Sequence, residues 1–126
     1  MRYLIDTHIF IFWMSDQLQR LQQSTVDLIA STDNEIFVSA ISAYEISLKR
    51  KLGKLSFPEN ISGCIQSGGF LELPLTGKQA ELAGDLNLVH RDPFDRLLAA
   101  QAIDQRMALI TLDATIASLG APLVAA

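Results

Sequence analysis

The chain has 126 residues, 49% of them hydrophobic, and a formal net charge of −4. That size and apolar content describe one domain able to bury its own core and exclude an intrinsically disordered chain. The negative charge excludes a bulk electrostatic attraction to nucleic acid, and the single cysteine, Cys64, excludes an internal disulfide or a thiolate metal pair. Cys64 reads as a small buried hydrophobe in a reducing cytoplasm. No apolar run reaches the ~18–20 residues of a membrane span. The apolar segment from Ile9 to Met14 follows only one basic residue, Arg2, and precedes no cleavage pattern. A soluble cytoplasmic protein without membrane attachment is therefore expected.

Short apolar runs alternate with helical patterns, the signature of a parallel sheet joined by crossover helices. Tyr3-Leu4-Ile5 predicts a buried first strand that stops at Asp6. A helix follows from Thr7 to Met14, and another from Ser24 to Ser31 with Ser24 as its N-cap. Asp33-Asn34-Glu35 turns into a second strand, Ile36-Phe37-Val38. Ser39 or Ser42 then opens a helix that carries Glu45 and stops near Gly53. Pro58-Glu59-Asn60 starts a short helix ending at Gly68-Gly69. Phe70 to Leu73 forms a third strand, and Thr76 caps a helix through Leu86. Asp92-Pro93 opens a helix to about Gln105, Leu109-Ile110-Thr111 is a fourth strand, and a short helix runs from Asp113 to Leu119. No repeat or linker divides the chain.

Four acids stand where a strand ends or a helix begins: Asp6, Glu45, Asp95 and Asp113. Each has a local explanation. Asp6 and Asp113 suit helix N-caps, worth about 1 kcal/mol each. Asp95 falls at the third position of a helix capped by Asp92 with Pro93 at the first, where the helix dipole favours an acid. Glu45 lies ~55° from the centre of a stripe of Ile41, Tyr44, Leu48 and Leu52, with Lys49 one turn on as an ion-pair partner. Parallel sheets gather their ligand sites at the carboxyl ends of strands. Convergence of the four there changes the balance. Two carboxylates ~5 Å apart at an effective dielectric of ~20 repel by about 3 kcal/mol, so six such pairs cost on the order of 15–20 kcal/mol. That exceeds a typical domain's stability of ~5–15 kcal/mol. Either some acids stay protonated or a divalent cation binds, and an all-oxygen donor set favours Mg²⁺ or Mn²⁺ over zinc.

Asp6-Thr7-His8 after a short strand, Tyr44-Glu45-Ile46 with Lys49, and Leu52-Gly53-Lys54-Leu55 occur in order with Asp92-Pro93-Phe94-Asp95-Arg96 and Thr111-Leu112-Asp113. Together they resemble the PIN-domain ribonucleases, most closely the VapC-type toxins of bacterial type II toxin–antitoxin modules, over essentially the whole chain. The resemblance implies a three-layer α/β/α sandwich on a mostly parallel sheet of four to five strands. It also implies Mg²⁺- or Mn²⁺-dependent cleavage of RNA, with transfer RNA a frequent target, inhibition by a cognate antitoxin, and commonly a homodimer. Carried over by motif, Asp6, Glu45, Asp95 and Asp113 are the catalytic, metal-binding quartet, with Thr111 supporting it. Leu112 and Tyr44 depart from the family's common polar residue and tryptophan, which bears on substrate contacts.

Within that reading Asp6 and Asp95 hold the principal ion and Glu45 and Asp113 complete its shell, with one or two ions left open. Arg96, Lys49 and the stretch Arg50 to Lys54 are expected to meet backbone phosphates. His8 and His90 read more readily as ordinary hydrogen-bonded residues than as catalytic ones. Phe10, Phe12 and Trp13 line either the core or an antitoxin groove, with Trp13 the one expected to face a partner. Phosphoryl-transfer folds rank low: His8 stands where a dehalogenase-like phosphatase needs a second acid, and no acidic pair suits a receiver domain. A PIN fold that binds RNA or protein without catalysis is the remaining alternative.

Overall fold

The computed structural model describes residues 1–126. Five strands form one all-parallel sheet in the order β3-β2-β1-β4-β5, namely β1 (Arg2–Ile5), β2 (Glu35–Ser39), β3 (Leu71–Leu73), β4 (Ala108–Thr111) and β5 (Leu123–Ala125). Six α-helices connect them: α1 (Thr7–Met14), α2 (Gln23–Ala30), α3 (Ala40–Lys51), α4 (Ile61–Ser67), α5 (Gly77–Asp85) and α6 (Pro93–Gln105). A 3₁₀ helix, Ala114–Leu119, joins β4 to β5. The three-layer α/β/α arrangement is as expected. The strand Leu123–Ala125 adds to the four located in the sequence, and it is only three residues long.

Side chains alternate across a strand, so adjacent residues feed opposite layers. Ile5, Ile36, Val38 and Ile110 pack with Ile9 and Phe10 of α1, Ile29 of α2, Ile46 of α3 and Ile61 and Ile65 of α4. On the other face Leu4 and Leu109 pack with Leu98, Ala99 and Ala102 of α6 and with Ile116 and Leu119. The small residues Ala99, Ala100 and Ala102 are fully buried, which lets α6 lie close to the sheet.

Several local expectations change. The N-cap of α2 is Gln22 rather than Ser24, because the helix begins one turn-step earlier at Gln23. On α3 the buried residues are Ile41, Ser42, Glu45 and Ile46, while Tyr44 and Leu52 are 58% and 59% exposed. The helix therefore turns a half-polar side inward, and Glu45 sits in that side rather than at its margin. Cys64 is only half-buried, packed at the edge of the first core. Phe10 is core, set between Phe57 and Phe70. Trp13 lies edge-on to Phe70 and lines a cleft of about 530 Å³ at the amino ends of β2 and β3. No helix is long and apolar enough to cross a membrane.

The chain lays β1, β2 and β3 outward in one direction, then crosses over to place β4 and β5 on the far side of β1. The strand order reverses between β1 and β4. Crevices at such a switch point, outside the carboxyl ends of the strands, are where open α/β sheets take ligands. Asp6 follows β1 there, and Thr111 ends β4.

Candidate active site

A notch of about 220 Å³ opens at that switch point, lined by Asp6, Thr7, His8, Glu45, Lys49, Asp92, Asp95 and Asp113. All four carboxylates expected to meet do line it, together with a fifth, Asp92. No hydrophobic residue contributes to its wall.

Asp6 is 5% exposed at the mouth of β1. Its Oδ1 accepts from the Ile9 amide at 2.9 Å, so it caps α1, and its Oδ2 accepts from the Thr111 hydroxyl at 2.5 Å. Burial pushes its carboxyl above the ordinary value near 3.8, against those two hydrogen bonds and the nearby His8. Capping and ligation are thus compatible, because the carboxylate has more acceptor sites than the cap uses.

Glu45 is held by two donors, one for each oxygen. The Thr7 hydroxyl donates to Oε1 at 2.7 Å, and Lys49 donates to Oε2 at 2.5 Å in the i,i+4 order. With its hydrogen donated to Glu45, Thr7 Oγ1 accepts from the Ser42 hydroxyl at 2.9 Å. Lys49 is one-third exposed and belongs to the notch as this ion pair.

Asp95 and Asp113 form the opposite, more open wall. Asp92 caps α6 through the amides of Phe94 (2.9 Å) and Asp95 (3.1 Å), which turns Asp95 into the notch. Partial burial raises the Asp95 carboxyl, opposed by the hydrogen bond to His90; Asp92 and Asp113 add to the rise. Asp113 goes the other way. The Thr115 hydroxyl (2.5 Å) and amide (2.9 Å) both bind its Oδ1 and hold it below the usual range. Thr111 links the two walls, since the oxygen that donates to Asp6 also accepts from the Asp113 amide at 3.0 Å.

Arg96 is the residue that the structure moves out of the site. It is 8% exposed, and its guanidinium donates to the carbonyls of Asn87, His90 (2.9 Å), Ala83 (2.8 Å), Gly84 (3.3 Å) and Leu86 (2.6 Å). Those bonds close the end of α5 and the loop to α6, and they leave no face for a phosphate. Arg50 is likewise turned to the carbonyls of Phe57 and Pro58. A second cleft, of about 350 Å³, shares Thr7, His8 and Lys49 with the notch and continues past Ile11, Lys54 and Leu55. The cations beside the notch are therefore Lys49 and Lys54.

Sequence reasoning passed over Thr7, Ser42 and Thr115 as members of the site and read His90 as an ordinary hydrogen-bonded residue. Ser42 sits one helical turn before Glu45, and Thr115 two residues after Asp113, spacings at which a hydroxyl reaches a neighbouring carboxylate. His90 stands five residues before Asp95, a local hint of that contact, whereas its contact with Thr115 spans 25 residues and leaves none.

The donor set suits a divalent cation. Five carboxylates face one lysine in a wholly polar notch, and one of them is almost fully desolvated, so its ionised form needs a nearby positive charge. His90, Asp95 and Asp113 bring ligand atoms within 4.8 Å of one another.

Solved structures of the same build share little sequence with this chain. A chain of VapBC2 from Rickettsia felis, bound to a promoter DNA fragment, superposes with a TM-score of 0.71 at 17% identity, covering 99% of this chain and 98% of that one. DNA-bound VapBC from Salmonella typhimurium gives 0.70 at 16%, with the same coverages. A toxin–antitoxin complex from Klebsiella pneumoniae gives 0.59 at 23%, covering 97% and 95%. At these identities the likeness speaks for the fold. No curated protein matches the sequence. The PIN domain family model matches residues 3–122, and with that span of agreement behind an acidic notch at the switch point of a parallel sheet, the chain belongs to the PIN domain family.

Proposed function

We propose that the protein is a Mg²⁺- or Mn²⁺-dependent endoribonuclease, the toxin partner of a toxin–antitoxin pair that a cognate antitoxin holds inactive. The observation that carries this reading is the gathering of Asp6, Glu45, Asp92, Asp95 and Asp113 in one notch beside a cleft with Lys49 and Lys54. The neighbours of like fold include VapBC and other toxin–antitoxin complexes, which supports an antitoxin partner for this chain. A homodimer is part of the same proposal, and light scattering on the purified chain tests it.

Asp6 and Asp95 would hold the principal cation, with Glu45 and Asp113 completing its surroundings. Such a cation supplies Lewis acidity, favouring hydroxide over water at neutral pH and offsetting charge on the phosphoryl oxygens. The chain does the rest by orientation. Thr111 fixes Asp6, Thr7 and Ser42 fix Glu45, and the Asp92 cap aims Asp95. Lys49 and Lys54 contact flanking backbone phosphates, which position RNA without reading its sequence. The role first given to Arg96 passes to these two lysines.

Asp95→Asn retains the helix position and removes the charge, so it should abolish cleavage with the fold intact. Sequencing RNA ends after brief expression of the wild type and of this variant tests the proposal. A recurrent cut present only in the wild type supports it. Equal cutting by the variant, or RNA binding without any new ends, defeats it; the latter would leave a binding module without catalysis.

A further inference from the structure

Two carboxylates on the open wall come from different elements, Asp95 from α6 and Asp113 from the end of β4, and nothing in the backbone ties one to the other. His90, in the loop before α6, spans the gap. Its Nε2 lies 2.8 Å from Asp95 Oδ2, and its Nδ1 lies 3.2 Å from the Thr115 hydroxyl, which donates to Asp113 Oδ1 at 2.5 Å. The imidazole is only 13% exposed, although Asp95 beside it is 26% exposed. Its backbone is pinned as well, because the His90 carbonyl accepts from the buried Arg96. A histidine on a surface loop has no structural need for such confinement.

The bonds also select which oxygens remain available. Oδ2 of Asp95 and Oδ1 of Asp113 carry the bonds of the bridge, while Oδ1 of Asp95 and Oδ2 of Asp113 carry none and are the freer to meet a ligand. Without the bridge, two like charges near the surface would swing apart into water. We propose that His90 and Thr115 are positioning residues that set the spacing of Asp95 and Asp113, and thereby the divalent-cation affinity of the notch. Hydrogen-bonded partners behind ligating groups act in this way elsewhere, and their loss typically weakens metal binding ~10–100-fold. The inference rests on the reading that the notch holds a divalent cation.

Mn²⁺ binding to the RNA-free chain, followed by the loss of the free-ion electron paramagnetic resonance signal, tests it. The wild type should bind, and His90→Gln and Thr115→Val should each bind about 10–100-fold more weakly. Thr115→Ser should retain wild-type affinity, because it keeps the hydroxyl. The double variant should be no weaker than the worse single, since one bridge breaks only once. Melting temperatures without metal identify any variant that has lost its fold, and for such a variant the serine substitution and the pulsed resonance measurement carry the test. Wild-type binding with undiminished affinity in both single variants overturns the inference and leaves the nuclease reading standing. Failure of the wild type to bind Mn²⁺ overturns both. Nitrogen coupling to Mn²⁺ in the pulsed spectrum would make His90 a ligand and overturn its positioning role.

Discussion

The two walls of the notch hold their acids in different surroundings. The inner wall keeps Asp6 and Glu45 at 5% and 6% exposure, and buried hydroxyls reach them from Thr7 and Thr111. The outer wall keeps Asp95 and Asp113 nearer to water, tied by a histidine and a threonine across two elements. Burial lifts the Asp6 carboxyl, whereas hydrogen bonds from Thr115 depress that of Asp113. Asp6 is fixed in place but resists ionisation, whereas Asp113 favours the ionised form and stands nearer to water. A divalent cation in the notch would offset the cost of ionising Asp6 and would draw on the fixed position of Asp113.

The sharpest break in this contrast is Asp6→Asn. The amide still caps α1, so the fold should survive, while cleavage should fall by roughly 10³-fold or more, over about 4 kcal/mol. Melting without metal should be unchanged or higher, because a group that resists ionisation in the fold has been removed. An active Asp6→Asn protein would remove the inner wall from the chemistry.

Arg96→Lys comes next and acts on stability alone. One ammonium cannot serve five carbonyls as the planar guanidinium does, so a loss of roughly 2–3 kcal/mol is expected in denaturant unfolding. RNA affinity of the folded fraction, and its salt dependence, should not change. A shallower salt slope would return Arg96 to the phosphates.

Thr111→Val cuts the one side chain that touches both walls. It removes the donor to Asp6 and the acceptor for the Asp113 amide, and a 10–100-fold loss of cation affinity, about 1.4–2.8 kcal/mol, is expected by calorimetry. Thr111→Ser should restore most of it.

Acid titration separates Asp6 from Asp113 by sign. With a raised folded value, Asp6 contributes its full stability below about 3.8 and loses it as pH climbs through that folded value. Asp113, depressed in the fold, contributes above about 3.8 and loses its part as pH falls through its folded value. Melting differences of wild type minus Asp6→Asn and wild type minus Asp113→Asn, measured without metal, should therefore slope in opposite directions. Saturating Mn²⁺ should flatten the Asp6 slope, and parallel slopes would contradict the assignment of the two environments.

The smallest effect concerns Gly120, which ends the 3₁₀ helix after Asp113 at φ +86°. No atom crowds a Cβ there, so Gly120→Ala costs only the left-handed backbone, about 1 kcal/mol. Cation affinity should be nearly unchanged; a large drop would show that the outer wall depends on this turn as well as on its side-chain bridge.

Much of this could be read along the chain. The junction positions of Asp6, Asp95 and Asp113 announce themselves, because a strand that stops at an acid and a helix that starts with one are local patterns. The Thr76 capping box and the Asp92-Pro93 start are local for the same reason. What failed was local pattern applied to a non-local cause. Counting apolar residues on α3 selects Ile41, Tyr44, Leu48 and Leu52, of which only Ile41 is fully turned inward; that side also carries Ser42 and Glu45, which Thr7 engages across 35 and 38 residues. Arg96 looked like a surface cation because charge is visible in sequence and burial is not. His90 reads as a hydrogen-bonded residue, which it is, but nothing near it in the sequence says that Thr115 will be one of its partners.

The hydrogen bond from Thr111 to Asp6 spans 105 positions, and β4 slots in beside the first strand rather than at the sheet's rim. During synthesis the amino-terminal half emerges first. A ribosome-bound fragment can pair β1 with β2 and β3, yet one flank of its central strand stays bare and Asp6 lacks its hydroxyl. The bond that joins the two walls can therefore form only after β4 has been synthesised, long after β1.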